Sequence, residues 1–367
     1  MNADADIRLA TRGSDLAMRQ ATTIKSQLES RRRSVSLTEV ETTGDAIQDE
    51  LIHRLGKTGA FVRSLDEKVL AGELDAAVHS MKDMPTEMPT ELVVAATPER
   101  APSGDVLVSP DGISVDQLSP EAVVGTSSLR RKAQLLAARP DLEIVPLRGN
   151  VDTRLEKLLA PSLQAEHERL LDAGEDEDAQ DPDDWFDSLS TLEQSAMERR
   201  VKTEMDAIVL AEAGLRRSGL FETVETSRLP KSSFVPSPGQ GAIAVTASHP
   251  QTVETIREAV DHPRTRVETT VERTVLAEVG GGCIAPIGVS AILQGEYVHT
   301  RAQILSHDGS EVIEATRDLP VVDHAEAAAE FAAGLRERGA AELITEARER
   351  TADDQGGAET VMEDEDA

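Results

Sequence analysis

Three stretches of the sequence carry side chains able to do chemistry. The first is His79-Ser80-Met81-Lys82-Asp83, where a cation and a carboxyl group stand side by side directly after the apolar run Ala76 to Val78. At a strand end such a pair offers a charge and a proton donor or acceptor; as a surface ion pair it would be worth little. His79 reads as a packed or hydrogen-bonded histidine and not as a base. The second stretch is a positive island. Between Val124 and Arg154 there are six basic residues against three acids, in a chain of net charge -30. Arg130, Arg131 and Lys132 open a helix behind the turn Gly125-Thr126-Ser127-Ser128. A helix N-terminus already presents free N–H groups and partial positive charge, so cations added there oppose the dipole and are a poor choice for stability alone. Arg148-Gly149-Asn150 with Arg154 repeats the pattern one unit later, and Arg12 lies in a third strand-to-helix turn, Thr11-Arg12-Gly13-Ser14-Asp15. Such turns at the carboxyl ends of strands make a cleft for several carboxylates or phosphates. The plainer alternative is ordinary surface arginines.

The third stretch is Gly280-Gly281-Gly282-Cys283, holding the only cysteine. A lone cysteine is usually a small buried hydrophobe. Three glycines before it give an open, mobile backbone that lets something large approach the sulfur. A buried thiol and a reacting or modified thiol both stay open, since reactivity depends on a thiolate pKa that sequence does not report. One cysteine excludes an internal disulfide and a cysteine-based metal cluster. There is no Walker-type loop, dinucleotide fingerprint or zinc spacing, and no metal is expected.

The elements that must position these groups read as α/β units. Ile7 to Ala10, Val35 to Val40, Ala76 to Val78 and Leu92 to Ala96 read as strands, with helices after Asp15 and over Phe61 to Ala71. Pro98 to Gly104 reads as a hinge. A second series follows: strand Val106 to Val108, strand Val123-Val124 into helix Leu129 to Ala138, strand Leu142 to Leu147 into helix Val151 to Leu159, and strand Ala207 to Leu210 into the segment with Arg216 and Arg217. Ser232 to Gly241 is rich in Pro, Gly and Ser and reads as a second crossing, followed by strand Gly241 to Thr246. Helix Thr265 to Val279 leads to the cysteine, then come strands at Ile287–Leu293, Val298–Leu305 and Glu311–Ala315 and one long helix, Ala325 to Arg348. Gln164 to Glu193 holds twelve acids and one arginine and reads as an acidic, solvated insertion.

The 367 residues are too many for one small core and suit two or three domains. Net charge -30 argues against nucleic-acid binding, which needs clustered cations. Only 8 of the 38 basic residues are lysine and aromatics make up 2%, a surface that suits a salt-rich cytoplasm where self-repulsion is screened. A halophilic source is therefore expected. Melting should be higher in molar salt than in dilute buffer, and equal stability in both would count against the idea. No apolar run reaches membrane-span length, and Met1 to Asp6 lacks a signal-peptide pattern; a cytoplasmic address is expected.

Taken in order, these segments resemble the porphobilinogen deaminase (hydroxymethylbilane synthase) family. The matching motifs are Ala10-Thr11-Arg12-Gly13-Ser14, Ala77 through Asp83, Val124 through Arg131, Leu147-Arg148-Gly149-Asn150-Val151, Ala213-Gly214-Leu215-Arg216-Arg217, Pro238-Gly239-Gln240-Gly241, and Glu278 through Gly288. The resemblance spans nearly the whole chain apart from the insertion and the acidic tail. With the charge pattern it implies a halophilic archaeal enzyme. It implies an α/β fold of three domains: residues 1–99 with 238–259; residues 104–233 with the insertion at about 161–200; and residues 262–349, with 350–367 a disordered tail. The first two resemble the lobes of a type 2 periplasmic-binding-protein fold, and the third is a small α/β domain carrying the cysteine. The implied reaction is a transferase step in tetrapyrrole biosynthesis: head-to-tail condensation of four porphobilinogen molecules, with loss of ammonia, to hydroxymethylbilane. The implied cofactor is a dipyrromethane bound by thioether to Cys283, which is then an anchor and not the nucleophile of turnover. By position, Asp83 is the catalytic residue. Arg12, Ser14, Ser80 and Lys82 on the first domain, with Thr126, Ser128, Arg130, Arg131, Arg148, Gly149, Arg154 and Arg217 on the second, bind cofactor and substrate carboxylates. The growing polyanion is what a positive island would select, and guanidinium forks suit carboxylates. The resemblance also implies a monomer that passes its product to uroporphyrinogen-III synthase. One departure is the loop Arg54-Leu55-Gly56-Lys57-Thr58-Gly59, where family members often carry two lysines; Lys57 is the candidate replacement.

Two other classes fit parts of the pattern. A non-catalytic polyanion-binding protein would use the same cleft without needing Lys82-Asp83 or a glycine-flanked cysteine. A cysteine-nucleophile transferase or hydrolase would need a histidine near the thiol, and none lies close in sequence.

Overall fold

Short apolar runs, none longer than five residues in the first two sheets, decide the architecture. The structure is a computed structural model that describes residues 6–31, 33–40, 60–173, 180–282 and 285–350. Strands β1 (Ile7–Thr11), β2 (Val35–Glu39), β3 (Ala76–Ser80) and β4 (Val93–Ala96) form the first sheet with β10 (Ile243–Ala247), in the order β2-β1-β3-β10-β4. The second sheet has β5 (Asp105–Val108), β6 (Val123–Gly125), β7 (Glu143–Val145), β8 (Ala207–Ala211) and β9 (Thr226–Arg228), ordered β7-β6-β8-β5-β9. In both, three neighbouring strands are parallel and the fourth in spatial order is antiparallel. That fourth strand is where the chain crosses between sheets: it leaves the first after β4, enters the second with β5, and returns with β10. The result is the expected pair of like α/β lobes. Parallel strands covered on both faces need near-continuous apolar sequence, as Ala76, Ala77 and Val78 or Ala207 to Leu210, all buried, supply.

Helices α1 (Asp15–Leu28), α2 (Ala60–Leu70) and α8 (Pro250–Val260) belong to the first lobe, and α3 (Leu129–Ala138), α4 (Val151–Ala173), α5 (Pro182–Ser188), α6 (Thr191–Met197) and α7 (Glu212–Ser218) to the second. The third unit is an antiparallel meander, β11 (Ile287–Gln294), β12 (Tyr297–Leu305) and β13 (Val312–Pro320). It packs on α9 (Pro263–Glu278) and α10 (His324–Arg336) around a core that includes Val271, Val275, Ala302 and Phe331.

Two expected helix ends differ from the structure, as do the strands expected at Leu142 to Leu147, which is shorter (Glu143–Val145), and at Glu311–Ala315, which runs on to Pro320. The single helix over Ala325 to Arg348 breaks after Arg336, because Gly339 adopts φ 92°, a left-handed conformation that stops a helix; residues 340–350 form a separate helix. Conversely, the helix expected to end at Leu159 runs on through Pro161 to Ala173. Tertiary packing offsets the hydrogen bond that the proline forgoes: α6 lies along α4, Gln164 donates to the carbonyls of Met197 and Arg199 (3.1 and 2.8 Å), and Arg199 pairs with Glu156. The acidic insertion therefore begins as structured helix, with His167 stacked on Trp185 at 5.9 Å. Among the described residues, no helix is long and apolar enough to cross a membrane.

Candidate active site

Strands β1 and β3 run side by side and parallel, so their carboxyl ends open on one edge of the first lobe. After β1, Ser14 caps α1 by accepting from the amide of Ala17 (3.4 Å), with Arg12 half-buried in the turn. After β3, Ser80 leads into a single 3₁₀ turn, Met81–Asp83. Met81 is buried, Lys82 half-buried and Asp83 exposed. His79 is an internal strut: its Nε2 lies 2.9 Å from Asp66 Oδ1 and 3.1 Å from Thr246 Oγ1.

The second lobe presents its turns in the same way. Ser128 caps α3, accepting from the amide of Arg131 (3.5 Å), and Thr126 Oγ1 accepts from the amide of Ser128 (3.2 Å). Ser127 ties this turn to the next strand end, donating to the Leu147 carbonyl (2.8 Å) and accepting from its amide (3.0 Å). In the following turn Gly149 has φ 112°, and a Cβ there would lie 2.6 Å from Thr153 Cγ2, so only glycine lets the chain turn here. The Gly149 carbonyl accepts from Arg154 Nε (2.8 Å), orienting that side chain.

The burial of the α3 arginines was not legible from their spacing. Arg130 and Arg131 are 4% and 6% exposed and share Asp105 at the start of β5 (both 2.8 Å). Arg130 also donates to the Val235 carbonyl and Gln134, and Arg131 to the Val209 carbonyl. Burial would raise the Asp105 pKa, but the two guanidinium charges overcome it and hold the carboxyl far below the usual range. The cations at the helix start are thus offset by an acid 25 residues upstream. Both guanidiniums are turned into the protein and organise the wall of the site, and Arg131 also exerts its charge on Lys82 and Arg154.

Lys82, Asp83, Arg131, Arg148 and Arg154 come together. Burial draws the Lys82 pKa below the lysine range, with Arg131 and Arg154 adding repulsion and Asp83 and Asp105 opposing it. Burial pushes Arg154 down to about 10, with Arg131 and Arg148 repelling and Asp83 attracting. Cations from both lobes therefore lie close to one another, with Asp83 and Asp105 as the acids that offset them. Arg217 stands apart: burial pushes it down to about 10, and its Nη2 donates to the Gly241 carbonyl at 2.7 Å, on the crossing back to the first lobe.

A buried network joins the lobes to the third unit. Gln240 donates to Asp105 (2.9 Å) and to the Ser103 carbonyl (2.6 Å), and Arg100 donates to the Gln240 carbonyl (2.8 Å). Arg100 in turn forks onto Glu272 of α9 (2.9 Å to each oxygen), which also accepts from the amides of Gly239 and Ala291. Sequence reading missed Asp105, Arg100 and Glu272; only the cations set against the helix dipole hinted at a buried acid.

Cys283 lies outside the described residues, as do Lys57 and its loop. The glycines before Cys283 have a structural reason that the sequence reading did not consider. Gly280 ends α9 at φ 75°, and a Cβ on buried Gly281 would meet Ile287 Cδ1 at 2.5 Å.

The donor set fits a polycarboxylate such as a dipyrromethane bearing acidic side chains. Lysine and arginine held below their ordinary pKa by burial and mutual repulsion are groups that a bound anion would relieve. This has a pH consequence. Free Lys82 loses its proton at lower pH than an unfolded lysine, so the folded protein gains stability as pH rises from the Lys82 pKa toward the unfolded value. A carboxylate ligand prefers charged Lys82, so affinity falls across the same window. KM for an anionic substrate should therefore climb with pH from below the usual lysine range, and Lys82→Arg should remove that limb. A limb unchanged in the variant would assign it to another group.

The sequence matches the family model "Porphobilinogen deaminase, dipyromethane cofactor binding domain" over residues 7–167 and 191–256, and "Porphobilinogen deaminase, C-terminal domain" over residues 267–337. A probable porphobilinogen deaminase of Halobacterium salinarum is 51% identical, over 93% of this chain and 98% of that protein. A probable porphobilinogen deaminase of Methanococcoides burtonii is 37% identical (92% and 96% covered), and a porphobilinogen deaminase of Syntrophomonas wolfei is 37% identical (94% and 99% covered).

Proposed function

The chain belongs to the porphobilinogen deaminase family, transferases that polymerise porphobilinogen to hydroxymethylbilane on a dipyrromethane cofactor, and we propose that it does so with Asp83 as the catalytic group and Cys283 as the cofactor's anchor. The observation that supports this reading most is the place of Asp83 on a 3₁₀ turn beside Lys82, where its charge acts on Lys82 and Arg154, which Arg131 and Arg148 neighbour in turn. When bound, the dipyrromethane supplies the pyrrole carbon to which the first substrate is joined. Asp83 gives a proton to the departing amine of porphobilinogen, and its carboxylate then stabilises the positive pyrrole that remains. Its carboxylate then takes the proton that leaves the attacking pyrrole carbon once the new carbon–carbon bond has formed, which reloads it for the next step. Lys82, Arg131, Arg148 and Arg154 hold acetate and propionate groups, with Arg12, Ser14 and Ser80 on one lip and Thr126, Ser128 and Gly149 on the other. Arg130 and Arg217 support the walls. We take the enzyme to act as a cytoplasmic monomer whose product passes to uroporphyrinogen-III synthase.

Incubation of the purified protein with porphobilinogen tests the function. Four ammonia molecules should be released for each hydroxymethylbilane formed. A protein that binds porphobilinogen but releases no ammonia would be a carrier of the same two-lobed fold, and the proposal would fail.

A further inference from the structure

Asp83 is exposed, so burial does not fix it, yet proton transfer demands a fixed geometry. The turn that carries it is held from outside its own lobe. Arg273, half-buried on α9 of the third unit, donates through Nη2 to the carbonyl of Pro85 (2.6 Å) and through Nη1 to those of Met81 and Met84 (both 3.4 Å). These carbonyls flank Lys82 and Asp83 on both sides; that of Met81 also accepts from the amide of Met84 (3.2 Å), which closes the turn. Gly239 closes the turn from the other side: at φ 73°, a Cβ there would lie 2.9 Å from Met81 Cγ and 3.3 Å from the Lys82 amide nitrogen. A planar guanidinium reaches three carbonyls at once, whereas a lysine ammonium at the end of a flexible stem does not hold the same fork.

Arg273 also stands ten positions before Cys283 in the sequence, on the helix that leads into the cysteine segment. We infer that Arg273 is a positioning residue, locking the Lys82–Asp83 turn to the unit that bears the cofactor anchor, so that the catalytic carboxyl keeps one place relative to that unit while the chain of pyrroles grows. This rests on the assignment of catalysis to Asp83.

The test uses the full chain with Arg273→Met, Arg273→Lys and, as control, Arg264→Met. Arg264 is on the same helix and donates to Glu268 and the Leu293 carbonyl without touching the turn. In Arg273→Met, amide exchange across Met81–Thr86 should quicken about tenfold, and turnover per cofactor-loaded chain should fall by at least about tenfold, with KM within about twofold. Arg273→Lys should recover part of both, and it carries the test if the Met variant does not fold. Arg264→Met should change neither. Unchanged exchange in the turn and unchanged turnover per loaded chain would overturn the inference. So would exchange that quickens throughout the β11–β13 sheet while turnover per loaded chain stays normal, since that marks a merely structural role. Normal turnover in Asp83→Asn would instead remove the premise, and the two failures are told apart by assaying both variants together.

Discussion

Asp83→Asn is expected to lower turnover by about a hundred- to ten-thousandfold while the chain keeps its dipyrromethane. Asparagine has nearly the same shape, so the 3₁₀ turn and the contacts of Arg273 with it persist. What disappears is the proton given to the leaving amine and the negative charge facing the pyrrole cation. Asp83 also opposes the loss of charge on Lys82 and Arg154. Its neutralisation should therefore move the alkaline limb of KM to lower pH, while KM at neutral pH stays level or falls, because the cation cluster is then less compensated. Steady-state kinetics across pH on chains counted as loaded by intact mass would show both effects. Near-normal turnover would mean that the wrong carboxylate has been assigned.

The second large effect is on stability. Asp105→Asn leaves Arg130 and Arg131, both buried, without their shared counter-charge. Breaking a buried ion pair in this way costs about 3–5 kcal/mol, or about 4–7 °C in melting temperature for a chain of this size. The pH sense follows from the depressed pKa. The contribution of Asp105 is complete above the ordinary aspartate range and is lost as pH falls toward the folded-state value. The variant should thus lose most stability near neutral pH and lie closest to the parent in acid. Since Arg131 borders the cleft, substrate affinity should fall as well. Melting curves at neutral and acid pH provide the measurement, and a variant that melts with the parent at neutral pH would refute the role given to Asp105.

What could be read from the sequence was local. The strand–turn–helix units and the Lys82–Asp83 turn all lie within a few neighbouring residues, where periodicity and turn chemistry operate. The arginine island was visible as contrast against net charge -30, but spacing could not separate Arg130 and Arg131, which are buried, from Arg154, which is half-buried. The burial of Arg130 and Arg131 depends on their shared partner Asp105, and the link from Arg100 to Glu272 spans 172 residues; no local pattern encodes either. The glycines at 280 and 281 suggested access to sulfur, where helix termination and close packing also require them. Pro161 suggested a helix end, but packing by α6 overrode it.

On the proposed function, a cation-lined site serves a primer anchored at Cys283. Intact mass of the purified chain tests it most directly. The mass should exceed that of the sequence by one dipyrromethane, with colour from Ehrlich's reagent and loss of both in Cys283→Ala. A chain of unmodified mass that still makes hydroxymethylbilane would contradict it.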